Sequence, residues 1–143
     1  MRKGRGARRA SDAGSAMRDL WTKAQIAARS ARALFERGDT DGAVNRAYYA
    51  AFGGARAALA AIRPSLAQSK KHGTIARRFS KHVVEGRGFD ACLGHGFFDR
   101  QRRARWTADY DGNHVDEPTA RVMIGDTERF LAAIEPFLEK MRR

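Results

Sequence analysis

The residues of this chain best suited to phosphate chemistry stand in one run, Arg100-Gln-Arg-Arg-Ala-Arg-Trp-Thr-Ala-Asp-Tyr110. Four arginines within six residues repel one another, which points to a use other than folding stability. Arg102, Arg105 and Asp109 recur at steps of three and four, so a helix would put them on one face. An Arg–Asp pair at that spacing contributes only ~0.3–0.5 kcal/mol when exposed. When buried, the same pair orients a guanidinium to receive phosphate oxygens bidentately.

Two further stretches carry suitable groups. In Asp39-Thr-Asp-Gly-Ala-Val-Asn-Arg-Ala-Tyr-Tyr-Ala-Ala-Phe52, Tyr48 and Phe52 fall on the apolar stripe and read as core. Asn45, Tyr49 and Arg56 fall on a neighbouring face, which suits either a ligand or a second subunit; a Tyr49 that merely buries its ring is the plainer reading. In Lys70-Lys-His-Gly-Thr-Ile-Ala-Arg-Arg-Phe-Ser-Lys-His-Val-Val84, the residues Lys70, Lys71 and His72 sit near the start of a helical pattern. Free backbone N–H groups there favour anions, although a solvated basic face fits equally well. His72 and His82 lack the three- or four-residue spacing by which a helix chelates a metal, and neither metal nor cofactor is expected.

The elements that must position these groups read as helices almost throughout. Leu20, Ala24, Ala27, Ala31 and Leu34 keep helical spacing up to Gly38. Val44, Tyr48, Phe52, Ala55, Leu59 and Ile62 continue it between a cap at Asp39 or Thr40 and Pro64. A third helix is predicted from Ser69 to Gly86 through Ile75, Phe79 and Val83, and a fourth from Cys92 or Leu93 to Tyr110. The fifth begins around Pro118 and carries Met123, Thr127, Phe130, Ile134, Phe137 and Met141, with a kink or early end expected at Pro136. No strand alternation appears. Short connections favour antiparallel neighbours, so the fold is predicted as all-α, an up-and-down bundle of four to five helices over residues 15–143.

Charge sharpens the reading. The 143 residues carry a formal net charge of +12. Residues 63–105 hold eleven Lys/Arg against three acids, whereas residues 106–143 hold five against eight. A basic segment inside the folded part fits a phosphate-bearing partner such as RNA or a nucleotide, and equally the solvated surface of an Arg-rich protein or a pairing with the acidic C-terminal segment. Residues 1–14, rich in Gly, Arg and Ala, read as a basic flexible tail. One cysteine makes no internal disulfide, no apolar run is long enough for a bilayer, and no secretory pattern is seen, so a cytoplasmic protein off the membrane is expected.

Three motifs in order, GDTDGAVNRAYYAAFGGARAAL, KKHGTIARRFSKHVVEGRGFD and RARWTADYDG, resemble bacterial and archaeal HEPN domains with a YYAxF helix and an R-x-x-A-D-Y helix end. The resemblance spans roughly residues 17–140. It implies an antiparallel helical bundle, a homodimer with its cleft at the interface, and a toxin–antitoxin setting with a small nucleotidyltransferase as antitoxin. Many such domains are metal-independent ribonucleases whose motif is Arg, four to six residues, then His. Arg105 matches the Arg; five residues on stands Tyr110 where the His belongs, and His114 comes nine residues after Arg105. An unperturbed tyrosine, with pKa near ~10, is a poor proton shuttle at neutral pH.

Catalysis would therefore rest on Arg105, Asp109 and either Tyr110 or His114, with Arg102, Arg103, Asn45, Tyr49, Lys71 and His72 binding RNA or nucleotide. Alternatively Tyr110 accepts a nucleotidyl group, or the chain is a non-catalytic substrate-binding subunit of the nucleotidyltransferase.

Overall fold

The computed structural model describes residues 4–90, 95–110 and 112–142. Five helices pack together: α1 (Gly4–Glu36), α2 (Thr40–Ile62), α3 (His72–Phe79), α4 (His95–Tyr110) and α5 (Glu117–Met141). A 3-10 turn (Pro64–Ala67) precedes α3, and a π-helical turn (Ser80–Glu85) extends it. No strand occurs among the described residues. The predicted all-α bundle is the architecture observed.

Local chemistry explains the boundaries. Gly38, with φ of +87°, makes the left-handed turn after α1 that a side chain would strain. Asp39 then caps α2, its carboxylate accepting from the Gly42 N–H at 2.8 Å. The third helix starts later than the predicted Ser69. The Ser69 hydroxyl takes the Lys71 N–H at 3.1 Å and Lys71 is extended, so helical backbone begins at His72. Asp116 caps α5 on the Thr119 N–H at 2.7 Å, and Pro118 sits in the first turn as expected. Pro136 does not end α5, which runs on to Met141. Pro136 and Ala132, whose carbonyl the proline leaves without its helical donor, both lie on the solvent side, where water satisfies that oxygen.

Two sequence expectations meet the edges of the description. The predicted start of the fourth helix at Cys92 or Leu93 lies outside the described residues. The stretch 1–14 enters as helical backbone from Gly4, continuous with α1, in keeping with the helix propensity of its Ala and Arg residues.

α2 is the central element. Gly53 faces Ala24, where a Cβ would meet the Ala24 Cβ at 3.2 Å, while Ala43 and Ala47 cluster with Ala31. That register makes α1 and α2 antiparallel and lets their backbones approach on small residues. On another side, Gly54 admits Leu131 and Phe130 of α5; a Cβ there would lie 2.6 Å from Leu131 Cδ2. Phe130 stacks on Phe97 at 4.8 Å between centroids and meets Phe79 and Phe98 at 5.5 Å. This aromatic core holds α3 and α4 against α5. The buried Gln101 donates to the Met123 carbonyl at 3.1 Å, fixing the rotation of α4 so that Arg105 faces α2.

Candidate functional site: a phosphate-sized cavity between three helices

The site is built where α2, α3 and α4 meet. Arg105, one turn before Asp109, donates through Nε to Asp109 Oδ2 at 3.2 Å. Asn45 of α2 donates its amide to both Asp109 oxygens, at 3.2 and 3.1 Å. The Arg105 and Asp109 side chains are only 20% and 25% exposed, so the pair is largely withdrawn from water. The Arg105 guanidinium carbon also lies 5.0 Å from the Tyr48 ring centroid and 5.4 Å from that of Tyr49, two cation–π contacts. The motif arginine is thus held by a carboxylate and two aromatic faces, and it ties α4 to α2.

Tyr48 carries the connection onward. Its hydroxyl is hydrogen-bonded to Nδ1 of His72 at the start of α3. The imidazole sits between aromatic rings, 4.3 Å from Phe52 and 5.0 Å from Tyr48 by centroid. Burial pushes the Tyr48 phenol above its ordinary value, against the opposing pull of the Arg105 charge. Burial first, then the Arg105 charge, holds His72 below the usual imidazole range. His72 is therefore neutral at pH 7.

A cavity of about 210 Å³ opens beside these groups. Tyr48, Phe52, His72, Phe98 and Arg102 line it, with the small residues Gly73 and Ala76. Arg102 lies 3.5 Å from Asp99 and is 63% exposed, so its guanidinium remains open to a solvent-borne anion. The chemistry on offer is a largely exposed cation beside the Asp99 carboxylate, which also lines the cavity, a neutral imidazole backed by a phenol, and flat apolar walls. That combination suits a phosphate attached to something planar.

The other sequence candidates separate. Tyr110 is 65% exposed, its ring lies 6.2 Å from Trp106, and it makes no contact with His72 among the contacts described. His114 is bonded through Nδ1 to Asp41 Oδ2 at 2.6 Å, while Asp41 Oδ1 accepts the Val115 N–H at 2.8 Å. Those bonds, the Val115 one foremost, hold the Asp41 carboxyl below its ordinary range. His114 thereby ties the α4–α5 connection to the start of α2, with no contact to Arg105 among the contacts described. Arg103 is exposed on α4, and Lys71 is exposed at the cap of α3. Tyr49 keeps its ring 38% exposed, flanked by Arg105 and Arg46.

Sequence reasoning assigned Tyr48 and Phe52 to the core alone. Both are packed there, yet each also forms a wall against His72. The signal was the double tyrosine: two adjacent rings cannot share one face of a helix, so one must serve a second surface.

With this geometry in view, comparison with known proteins decides the family. The family model described as HEPN domain matches residues 17–137. The chain belongs to the HEPN domain family. A UPF0332 protein of Gloeobacter violaceus is 31% identical over 122 residues, 84% of this chain and 94% of that protein. A protein of Methanocaldococcus jannaschii, named as a candidate toxin, is 30% identical over 112 residues, 78% of this chain and 81% of its own length. The matched span of this HEPN domain contains the whole cavity and the Asn45–Asp109–Arg105 cluster. No helix among its described residues is long and apolar enough to cross a membrane.

The state of His72 has a measurable consequence. A histidine whose folded pKa is lowered binds fewer protons folded than unfolded. Its contribution to stability is complete above ~6.5 and is lost as pH falls through the lower folded value. Urea denaturation at successive pH values should therefore show stability falling as pH drops below about 6.5, before the carboxylates titrate. His72→Gln should flatten that decline. An unchanged decline in the variant would contradict the assigned environment.

Proposed function

We propose that this chain is a toxin-type HEPN protein that binds RNA by a phosphate in the α2–α3–α4 cavity, with His72 as its acid–base group. The observation that carries this reading is that Arg102 and His72 line one cavity while Arg105 is held by Asp109. Arg102 meets the phosphate, the aromatic walls meet the sugar or base, and Arg105 orients Tyr48 and hence His72. In cleavage, His72 holds its Nδ1–H on the Tyr48 hydroxyl oxygen and takes the ribose 2′-hydroxyl proton at Nε2 as that oxygen attacks the phosphate, the role for which the motif histidine is missing. The P–O bond to the 5′ oxygen breaks, and the leaving oxygen takes a proton from water.

Fluorescence titration of a labelled single-stranded RNA over a salt series tests the binding. Affinity should fall with salt, at a slope of about 0.7 per phosphate neutralised. Arg102→Ala should weaken binding and lower the slope by about 0.7. Salt-independent binding, or none, would defeat the proposal.

A second reading has its own support in the 65% exposure of Tyr110, whose hydroxyl is open to an approaching enzyme. Here a partner nucleotidyltransferase joins a nucleoside monophosphate to Tyr110, with pyrophosphate leaving, and the chain is silenced or serves as a substrate-binding subunit. Intact mass after co-expression with such an enzyme reads this directly. Trp106, 58% exposed beside Tyr110, also supports a homodimer through this face of α4; light scattering on the purified chain and on Trp106→Glu checks it.

A further inference from the structure

The aromatic ridge of α2 has a second flank. Opposite the cavity, α1 and α2 enclose a groove of about 290 Å³ whose charged lining is Lys23, Arg46 and Arg56. Among the described residues, no carboxylate lines it. Three cations gathered from two helices without a counter-charge repel one another, so the arrangement favours an anion supplied from outside.

The cations are also held in place. The Arg46 guanidinium carbon lies 5.8 Å from the Tyr49 ring centroid, and that of Arg56 lies 5.8 Å from Phe52. Arg56 Nε donates to the Ala67 carbonyl at 2.9 Å, which fixes the guanidinium plane. Its two terminal NH₂ groups have no protein partner among the described residues. The floor is made of the small residues Ala24, Ala27 and Gly53, and Tyr49, 38% exposed, stands at its side.

The groove and the cavity share a wall. Phe52 lines both. The Tyr49 ring, part of the groove, lies 6.4 Å from the His72 ring and 5.4 Å from the Arg105 guanidinium. A chain of nucleotides crossing the Tyr49–Phe52 ridge would therefore touch both concavities in succession.

We infer that the α1–α2 groove is a second nucleotide subsite, taking the base of an adjoining nucleotide of single-stranded RNA on Tyr49 and its phosphate among Lys23, Arg46 and Arg56. This rests on the RNA-binding reading of the cavity and adds the substrate class: an unpaired strand of at least two nucleotides rather than a mononucleotide. Unpaired strands are what stacking platforms flanked by cations hold, because every base offers a ring face. Paired bases offer none, so a duplex is excluded from Tyr49.

The test compares a labelled single-stranded RNA hexamer, its duplex form and adenosine monophosphate as competitor, on the full chain. The wild type should prefer the hexamer over the mononucleotide by at least about tenfold, and should bind the duplex more weakly. Lys23→Gln/Arg46→Gln should remove most of that preference and lower the salt slope for the hexamer by about 0.7–1.4, with mononucleotide affinity unchanged. Tyr49→Ala should weaken the hexamer about five- to 150-fold, the equivalent of one lost base stack. Lys23 and Tyr49 are exposed and Arg46 half-buried, and circular dichroism checks that the variants fold. Hexamer binding unaltered in both variants overturns the subsite, while Arg102-dependent mononucleotide binding would leave the cavity reading standing. No RNA binding by the wild type, or binding that Arg102→Ala leaves unchanged, overturns the cavity reading and the subsite with it. Equal affinity for the duplex overturns the single-strand assignment, and a change in oligomeric state in Tyr49→Ala without any change in RNA affinity assigns the groove to a second copy instead.

Discussion

Replacing His72 with glutamine should lower RNA cleavage by about 10²–10⁴-fold, the usual contribution of a positioned acid–base group, while RNA affinity and its salt dependence stay close to those of the wild type. The two readouts divide because His72 is neutral in its cavity. A neutral ring displaces no counterions from a phosphate backbone, so its removal leaves the electrostatic part of binding to Arg102. Glutamine is the informative substitution. Its side-chain amide can keep the hydrogen bond to the Tyr48 hydroxyl in place of Nδ1, so α3 stays seated on α2 and the loss falls on proton transfer.

The pH profile adds a second check. With its value held low by burial and by the Arg105 charge, His72 keeps its neutral form down to below ~6.5. Activity should therefore persist into mildly acid solution and fall only as pH drops through that lowered value. His114→Gln is the control, since His114 is engaged with Asp41. If His114→Gln abolishes cleavage and His72→Gln does not, the acid–base assignment is wrong. A wild-type protein that binds RNA without cutting it sends the function to the non-catalytic reading.

The largest effect on stability is expected at Phe130. Its ring is fully buried and meets Phe79, Phe97 and Phe98 within 5.6 Å between centroids, drawing α3 and α4 onto α5. Phe130→Ala should cost about 3–5 kcal/mol, the lost transfer of the ring plus the cavity left behind. For a chain of this size the melting temperature should drop by about 6–20 °C. Urea denaturation and thermal circular dichroism measure both. Because Phe98 lines the proposed RNA cavity, RNA binding should weaken in the variant even at temperatures where it remains folded. A loss below about 1 kcal/mol would mean that the aromatic cluster is not the keystone of the bundle.

Much of this architecture was legible in the residues. The periods through Ala24, Ala27 and Ala31, through Ile75, Phe79 and Val83, and through Met123, Thr127, Phe130 and Ile134 all mark buried faces. The caps at Asp39 and Asp116 form as their residue types require. The Arg105–Asp109 contact was foreseen from its four-residue spacing. Where reading failed, the competing effect was local. Lys71 prefers the turn made by the Ser69 hydroxyl over another helical residue, and Pro136 is tolerated because water replaces its missing donor.

What the sequence by itself determined, then, is which segments are helical and which side of each is apolar. Both follow from backbone geometry repeating every few residues, and they need no knowledge of the rest of the chain. The tertiary structure alone decided which polar groups meet. Asn45 reaches Asp109 across 64 residues, Tyr48 reaches His72 across 24, and Asp41 reaches His114 across 73. Each meeting depends on how far one helix is rotated and slid against another. Those degrees of freedom are set by packing at Gly53, Gly54, Gln101 and Phe130, where close approach or a buried hydrogen bond admits one arrangement. That is why the run of arginines pointed to phosphate from the outset, while the histidine beside it came from another helix.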